Sequence, residues 1–150
     1  MKRRGFLAAL SALATAGLGR PASAQAPIEN GMNAIVRDLT QGVAVKEGRV
    51  TLQLPRLADN GTSVPLKVTV ESPMTAADRV KSISLLSPRN PRPLMATFHF
   101  GDESPRAAVM TRVRLNGTQR VLAIARMSDG SFWSATSEVE VTESACLDAS

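Results

Sequence analysis

The feature that most constrains the fold is an alternation of apolar and polar residues with a period of two, which recurs after residue 43. Between Val64 and Val70 every second residue is valine or leucine, and the residues between them are Pro65, Lys67 and Thr69. A period of two places successive side chains on opposite faces of a β-strand, so that one face can be buried. Pro65 lacks a backbone N–H, which predicts that its part of the strand lies at a sheet edge.

The same alternation, or a short apolar run, predicts further strands at residues 50–54, 80–85, 94–100, 109–115, 121–125, 132–135 and 138–142. Turn signals such as Asp59-Asn60-Gly61 and Ser128-Asp129-Gly130 separate them. Ahead of the strands, Met32, Ile35 and Leu39 recur at helical spacing, which predicts one short helix over residues 27–40. Many short strands without long helices between them predict an all-β fold, an antiparallel β-sandwich.

Residues 1–26 have the layout of an export signal peptide. Lys2-Arg3-Arg4 form a basic head, an apolar run extends from Leu7 to Leu18, and small residues follow at Ala22-Ser23-Ala24. The apolar run is too short to span a bilayer, so we expect no membrane anchor here. Arg3-Arg4 followed by Phe6-Leu7 resembles a twin-arginine signal, which delivers folded proteins to the periplasm; an ordinary secretion signal that contains two arginines is the alternative.

The charge of the chain depends on this signal. The formal charge is +5, and removal of residues 1–26 takes away four basic residues and no acidic one, which leaves +1. The remaining basic residues are scattered singly along the sequence, whereas a nucleic-acid-binding protein needs a concentrated basic surface. We therefore expect no nucleic-acid partner.

Candidate catalytic and metal-binding residues are few. The chain has one histidine, His99, and one cysteine, Cys146, whereas a structural zinc site needs four such ligands. His99 lies in a predicted strand and faces away from the phenylalanines on either side, which indicates a surface or partly buried strand residue. Asp102 and Glu103 are neighbours in a loop rather than a catalytic pair. The sequence therefore offers no recognisable active site of its own, and we expect neither a metal nor a cofactor.

Cys146 is the residue with chemistry to explain. A single cysteine cannot form an internal disulfide, so its thiol is buried and inert, reactive, or bonded to another chain. Burial is the common outcome for a free cysteine, but chain ends are usually exposed, and Ser144 and Ala145 supply little apolar surface. We therefore expect a reactive or carrier thiol on a mobile C-terminal arm that enters a pocket on another protein. A disulfide-linked dimer through Cys146 is compatible with this role.

Motifs spread in order along residues 28–146 resemble the SoxY family, the sulfur-carrier subunits of the bacterial thiosulfate-oxidising system. These motifs are Asp59-Asn60-Gly61, Val64-Pro65, Ser72-Pro73-Met74 with Asp78, Val80 and Lys81, Asn90-Pro91 with Pro93 and Phe98, Thr111-Arg112-Val113-Arg114-Leu115, Gln119 with Val121 and Ala123, and Met127-Ser128-Asp129-Gly130. The resemblance implies an immunoglobulin-like β-sandwich. It also implies pairing with SoxZ, a second sandwich subunit that lacks its own export signal.

The resemblance further implies that sulfur intermediates are carried covalently on the arm cysteine, with which Cys146 aligns. That cysteine visits a haem-containing ligating enzyme, a sulfate-releasing hydrolase and a sulfur dehydrogenase. The usual arm of the family reads Gly-Gly-Cys-Gly-Gly, where this chain has Ser144-Ala145-Cys146-Leu147-Asp148. Glycines make a thin and pliable chain, whereas Leu147 adds bulk and Asp148 adds negative charge that disfavours a thiolate. We therefore expect a divergent SoxY-related arm.

The predicted organisation is a signal peptide at residues 1–26, a SoxY-like sandwich at 27–142 and a cysteine-bearing arm at 143–150. The predicted function is that of a periplasmic carrier that holds sulfur on Cys146 and pairs with a SoxZ-like subunit. Its other partners are periplasmic sulfur-oxidising enzymes. The alternative is an interaction module whose arm docks on a partner protein without sulfur cargo.

Overall fold

The computed structural model describes residues 31–144 of the chain. Within that range one helix, α1 (Met32–Thr40), is followed by the strands β1 (Val45–Glu47), β2 (Val50–Gln53), β3 (Leu57–Asn60), β4 (Val64–Val70), β5 (Val80–Leu86), β6 (Leu94–His99), β7 (Ala107–Val113), β8 (Gln119–Met127) and β9 (Phe132–Glu143). Every strand predicted from the sequence is present. The two predicted strands nearest the C-terminus are one continuous strand, β9.

The strands form two sheets. The larger has the order β1-β9-β8-β5-β6, with β3 also paired to β9, and the smaller has the order β2-β4-β7. This confirms the immunoglobulin-like sandwich, but the pairing is not antiparallel throughout, because β1 and β3 both run parallel to β9. Between β1 and β3 the chain crosses to the smaller sheet as β2. When it returns as β3, it lies along β9 in the same direction as β1.

The main core lies between the two sheets. Val68, Ile83 and Val121 are wholly buried there, and the inward residues of β4 alternate with exposed ones as its sequence predicts. β2 pairs only with the second half of β4, so Pro65 has a partner on one side only, at Arg112 of β7. The edge position predicted for Pro65 is therefore confirmed.

A second, smaller apolar cluster lies between α1 and the outer face of the larger sheet. It contains Met32 of the helix with Leu86, Leu122, Ile124 and Phe132 of the strands. Because the helix covers this face, β8 is buried on both sides along its centre. The alternation in the sequence predicted which residues of β8 face the main core. The contact with α1 explains why the residues on the opposite face of β8 are buried as well.

The helix ends where the sequence predicted. Gln41 adopts a left-handed conformation with a φ of 54°, and Gly42 has a φ of 79°. The Gly42 N–H donates to the carbonyl of Arg37 at 3.0 Å, which satisfies a carbonyl left free at the helix end. The predicted start of the helix, before residue 31, lies outside the described residues.

Two local predictions differ from the structure. Leu94 was expected on the same face as Ala96, but a β-bulge places Leu94 opposite Leu86 and Ala96 opposite Leu85. The extra residue reverses the facing of Leu94, which is 42 % exposed. In addition, the turn predicted at Asp59-Asn60-Gly61 lies slightly later, at Gly61 and Thr62, because Asp59 and Asn60 are the last two residues of β3.

The end of the sandwich that contains residues 48–49, 71–79, 100–106 and 127–131, here called the far end, is held together by ionic contacts. Arg49 donates to both carboxylate oxygens of Asp78, at 2.9 and 2.8 Å, and its guanidinium lies 5.7 Å from the centre of the Trp133 ring. The buried Arg79 pairs with Asp102 and donates to the carbonyl of Met74 at 3.2 Å. These contacts tie the loops of both sheets together.

Hydrogen bonds within its turn lower the pKa of one further carboxylate at the far end, that of Asp129. The hydroxyl of Ser131 donates to Asp129 at 2.6 Å and the Ser131 N–H donates at 2.9 Å. These two bonds stabilise the charged form, so the pKa of Asp129 lies below its ordinary value.

Among the residues that the structure describes, no helix has the length and apolarity needed to cross a membrane.

Replacement of Ile83 by alanine tests the main core. Ile83 is wholly buried between the sheets, so Ile83→Ala should lower the free energy of unfolding by about 2–5 kcal/mol through lost burial and a cavity. Met110→Ala is the control, because Met110 is 80 % exposed and should change that free energy by less than about 0.5 kcal/mol. Chemical denaturation measures both, and equal effects would contradict the assignment of the core.

Candidate functional site

The candidate site is the end of the sandwich where β9 stops, here called the arm end. It consists of Glu143, Ser144 and the loops at residues 61–63, 87–93 and 114–118. The Gly61 N–H donates to the carbonyl of Glu143 at 2.8 Å, and the carbonyl of Gly61 accepts from the N–H of Leu115 at 2.8 Å. The last residue of β9 is therefore bonded, through Gly61, to the loop that follows β7.

Asn116 connects Ser144 to the surrounding loops. Its side-chain oxygen accepts a hydrogen bond from the hydroxyl of Ser144, and its side-chain nitrogen donates to the carbonyl of Arg89 at 3.1 Å. The backbone N–H of Asn116 donates to the side chain of Asn90 at 2.9 Å, and Asn90 in turn donates to the carbonyl of Arg114 at 2.8 Å. The root of the arm is thus held by neutral hydrogen bonds from two loops.

The side chain of Gln119 forms hydrogen bonds with the loop at residues 87–93. Its side chain is buried, and its oxygen accepts from the hydroxyl of Ser87 at 2.5 Å and from the N–H of Arg89 at 3.2 Å. Its nitrogen donates to the carbonyl of Gly117 at 3.2 Å. A buried amide needs such partners, so Gln119 fixes the loops against which Asn116 and Ser144 rest.

The arm residues predicted from the sequence divide at residue 144. Ser144 is half-buried and bonded to Asn116. Ala145, Cys146, Leu147 and Asp148 lie outside the described residues. The sequence placed the start of the arm at residue 143, but Glu143 is the last residue of β9 and pairs with Asn60 of β3, so the framework continues at least to Glu143.

The other candidate groups belong to the framework. His99 is the last residue of β6 and is exposed, as predicted. Asp102 pairs with Arg79 and lies 3.6 Å from Lys81, so its role in the far end is structural. Across residues 31–144, no histidine, cysteine, aspartate and glutamate side chains gather in a group that could hold a metal ion.

A groove of about 900 Å³ runs along the outer face of the larger sheet beside α1. Leu57, Leu122 and Thr136 are among the residues that line it. Arg120 and Glu138, which also line it, form an ion pair at 2.9 Å. The groove offers binding surface, and His99 is not among the residues within 31–144 that line it.

Comparison with known families identifies the chain. The family described as "Sulfur oxidation protein SoxY" matches residues 36–146, which include all of the strands and extend to the cysteine. The chain belongs to the SoxY family. No curated protein matches it significantly. The SoxY match supports the resemblance that the sequence motifs indicated.

Solved structures share the fold. The sulfur carrier protein SoxY from Chlorobium limicola f thiosulfatophilum superposes with a TM-score of 0.62 at 23 % identity, over 74 % of this chain and 96 % of that one. A superoxide reductase (neelaredoxin) from Ignicoccus hospitalis gives a TM-score of 0.55 at 18 % identity, over 63 % and 80 %. A putative superoxide reductase from Thermotoga maritima gives 0.57 at 18 % identity, over 66 % and 95 %. These identities establish a common fold and nothing more.

Sequence reasoning missed the residues that hold the arm end. Asn116 follows the strand predicted at residues 109–115 and received no role, and Gln119 was named only as one of the motif residues. The available signal was that Gln119 shares the inward face of β8 with Val121 and Ala123. A polar residue on an otherwise apolar face must bond to a buried partner, and that partner is Ser87.

A double-mutant cycle tests the Gln119 contact. Gln119→Leu leaves the wholly buried Ser87 hydroxyl without its partner and should lower the free energy of unfolding by about 1–3 kcal/mol. Adding Ser87→Ala removes the stranded hydroxyl, so the double variant should be destabilised by less than the sum of the two single variants. Additive losses in denaturation experiments would show that the two side chains do not depend on each other.

Proposed function

We propose that this SoxY-family protein is a periplasmic carrier that holds sulfur intermediates covalently on Cys146 during thiosulfate and sulfur oxidation. It acts as a substrate of partner enzymes rather than as an enzyme, and it pairs with a SoxZ-like subunit. The observation that carries the proposal is the family match, which extends to Cys146. The similar Chlorobium structure is that of a sulfur carrier protein, which supports the same role here.

The geometry of the arm end suits a carrier. The residue two positions before Cys146 is bonded to Asn116, and two residues of extended chain reach about 7 Å at most. While Ser144 keeps this bond, the chain allows at most about 7 Å between the Cα atoms of Ser144 and Cys146, which limits the region in which the thiol can react. A partner enzyme that reacts with this thiol comes into contact with the loops of the arm end.

The covalent chemistry requires one nucleophilic sulfur from this chain. When thiosulfate is attached, the sulfur of Cys146 forms an S–S bond with the outer sulfur of thiosulfate, the thiol proton is released, and two electrons pass to a haem-containing partner enzyme. Water then breaks the bond between the outer sulfur and the sulfonate group, which yields sulfate and a cysteine persulfide. The partner enzymes supply the electron acceptor and activate the water.

The twin-arginine-like signal supports the proposed location and pairing. Arg3-Arg4 and Phe6-Leu7 match a route that exports folded proteins. A folded SoxY-family subunit can carry a bound SoxZ-like partner through this route, even when the partner lacks a signal. Co-expression of the two subunits, followed by fractionation, tests this; a partner retained in the cytoplasm would count against the pairing.

Intact-protein mass spectrometry tests the sulfur cargo. After incubation of the mature protein with thiosulfate and the oxidising partner enzymes, the mass should increase by one thiosulfate group, and the group should map to Cys146. Cys146→Ser is the control and should remain unmodified. If the wild-type protein shows only the free or oxidised thiol, the carrier function is wrong.

The altered arm favours one alternative function, that of an interaction module without sulfur cargo, because Leu147 and Asp148 replace the glycines usual in the family. Thiosulfate-dependent turnover by the complete system distinguishes the two functions. If the protein is a carrier, the Cys146→Ser variant should lose this turnover completely. If it is an interaction module, the same variant should keep it.

The double variant Leu147→Gly/Asp148→Gly tests the effect of the altered arm. Removal of the side chain and the charge should raise kcat/KM with standard thiosulfate-oxidising enzymes, since a thinner and uncharged arm enters a narrow channel more easily. Ala149→Gly is the matched control, because it adds a glycine outside the five-residue segment, and it should have little effect. An unchanged kcat/KM for the double variant would mean that neither bulk nor charge limits entry.

A further inference from the structure

We propose that the arm end carries a cationic docking surface, here called the arginine cluster, for an acidic surface on the proteins that act on Cys146. The cluster consists of Arg89, Arg92, Arg112 and Arg114. This inference rests on the proposed function, because reaction at Cys146 is what brings a partner protein to the arm end.

The fold gathers residues that are scattered in the sequence. Asn90 donates to the carbonyl of Arg114 at 2.8 Å, and Asn116 donates to the carbonyl of Arg89 at 3.1 Å, so the loop after β5 and the loop after β7 are bonded together. Arg92 lies two residues beyond Asn90. Arg112 lies two residues before Arg114 and so shares its face of the chain.

The same hydrogen bonds place the cluster next to the arm. Asn116, which donates a hydrogen bond to the backbone of Arg89, also accepts a hydrogen bond from the hydroxyl of Ser144. Arg89 is therefore linked to Ser144 through two hydrogen bonds, and Arg114 is linked to it through three, by way of Asn116 and Asn90. The sequence alone gave no sign of this, because its basic residues are evenly scattered.

The charges of the cluster are left uncompensated by the framework. All four arginines are exposed, and none forms an ion pair with another residue in the range 31–144. The guanidinium of Arg89 donates only to a neutral group, the carbonyl of Thr118, at 2.8 Å. The loops of the arm end, at residues 61–63, 87–93 and 114–118, contain no acidic residue, so these loops have an excess of positive charge.

The far end provides the contrast. There Arg49 pairs with Asp78, while Arg79 and Lys81 pair with Asp102. Arg49, Arg79 and Lys81 therefore hold the loops of the far end together, whereas the arginines of the arginine cluster form no such ion pairs within residues 31–144.

The short tether explains why that partner is a protein surface. Cys146 lies within about 7 Å of Ser144 along the chain, so an enzyme that binds the thiol brings its own surface to the loops of the arm end. Charges attract across a screening length of about 8–10 Å at physiological ionic strength, so an enzyme surface that rests on these loops lies within the range of their arginines. An acidic rim around the enzyme's thiol-binding channel is then attracted to the arginine cluster, and such complementarity can raise association rates by about 10–1000-fold.

Binding of the haem-containing ligating enzyme to Cys146→Ser protein, measured by calorimetry at several salt concentrations, tests the proposal. This serine background separates docking from sulfur attachment, so a failure of the carrier function leaves this measurement intact. Arg112→Glu/Arg114→Glu in the same background should raise Kd at least about 10-fold at low salt and should abolish most of the salt dependence.

Arg106→Glu/Arg126→Glu is the matched control, because it makes the same change in net charge with two exposed arginines, one at the far end and one next to it in β8. This control should bind as the unsubstituted background does. Equal losses in both double variants would show an effect of net charge alone, and no loss in either would show that the cluster does not dock the enzyme. Absence of binding by the background itself would also overturn the proposal.

Loading with tetrathionate separates a protein partner from a small anion. The Cys146 thiolate attacks tetrathionate, forms the S–S bond to a thiosulfate group and expels thiosulfate, without a partner enzyme or an external oxidant. Arg112→Glu/Arg114→Glu with Cys146 intact should load at the wild-type rate at high salt. A loading rate that falls in parallel with enzyme binding, even at high salt, would mean that the cluster binds the anionic cargo rather than an enzyme surface.

Discussion

The arrangement of the molecule depends on the two-sided pairing of β9. One edge of this strand is bonded to β8, and the other is bonded first to β1 and then to β3, as far as Glu143. β8 pairs with β9 as far as Val139, and β3 pairs with it from Glu140 to Glu143, so the segment that leads to the arm is held by β3 and leaves the sandwich from a fixed point. Whatever Cys146 does begins two or three residues from that point.

The two ends of the sandwich use different interactions, and the difference suits their roles. The far end is closed by ion pairs and by two cations, Lys46 and Arg49, that lie 5.3 and 5.7 Å from the centre of the Trp133 ring. The arm end is held by neutral amide and hydroxyl groups around Asn116 and Gln119. Neutral bonds fix its loops without consuming the charges of the nearby arginines, which stay available to partners.

The sequence was sufficient for the elements that carry a regular pattern. The alternation from Val64 to Val70 predicted a strand that the structure contains with the same bounds. β3 was not predicted, because it has only four residues and pairs with a distant part of the chain. Its local sequence resembles a turn. The contacts of Asn116 and Gln119 were not predicted either, because they join residues 26 to 32 positions apart, and local pattern holds no information on such pairs. The placement of Cys146 stays a prediction.

A nitroxide spin label attached to Cys146 tests most directly whether the thiol is tethered beside the arm end and open to partners. The native protein should accept the label without denaturant, and the amide NMR signals of Gly61 and Asn116 should broaden strongly. The signal of Gly130, at the far end, should keep its width. A thiol that reacts only after unfolding, or broadening that is strongest at Gly130, would contradict this account.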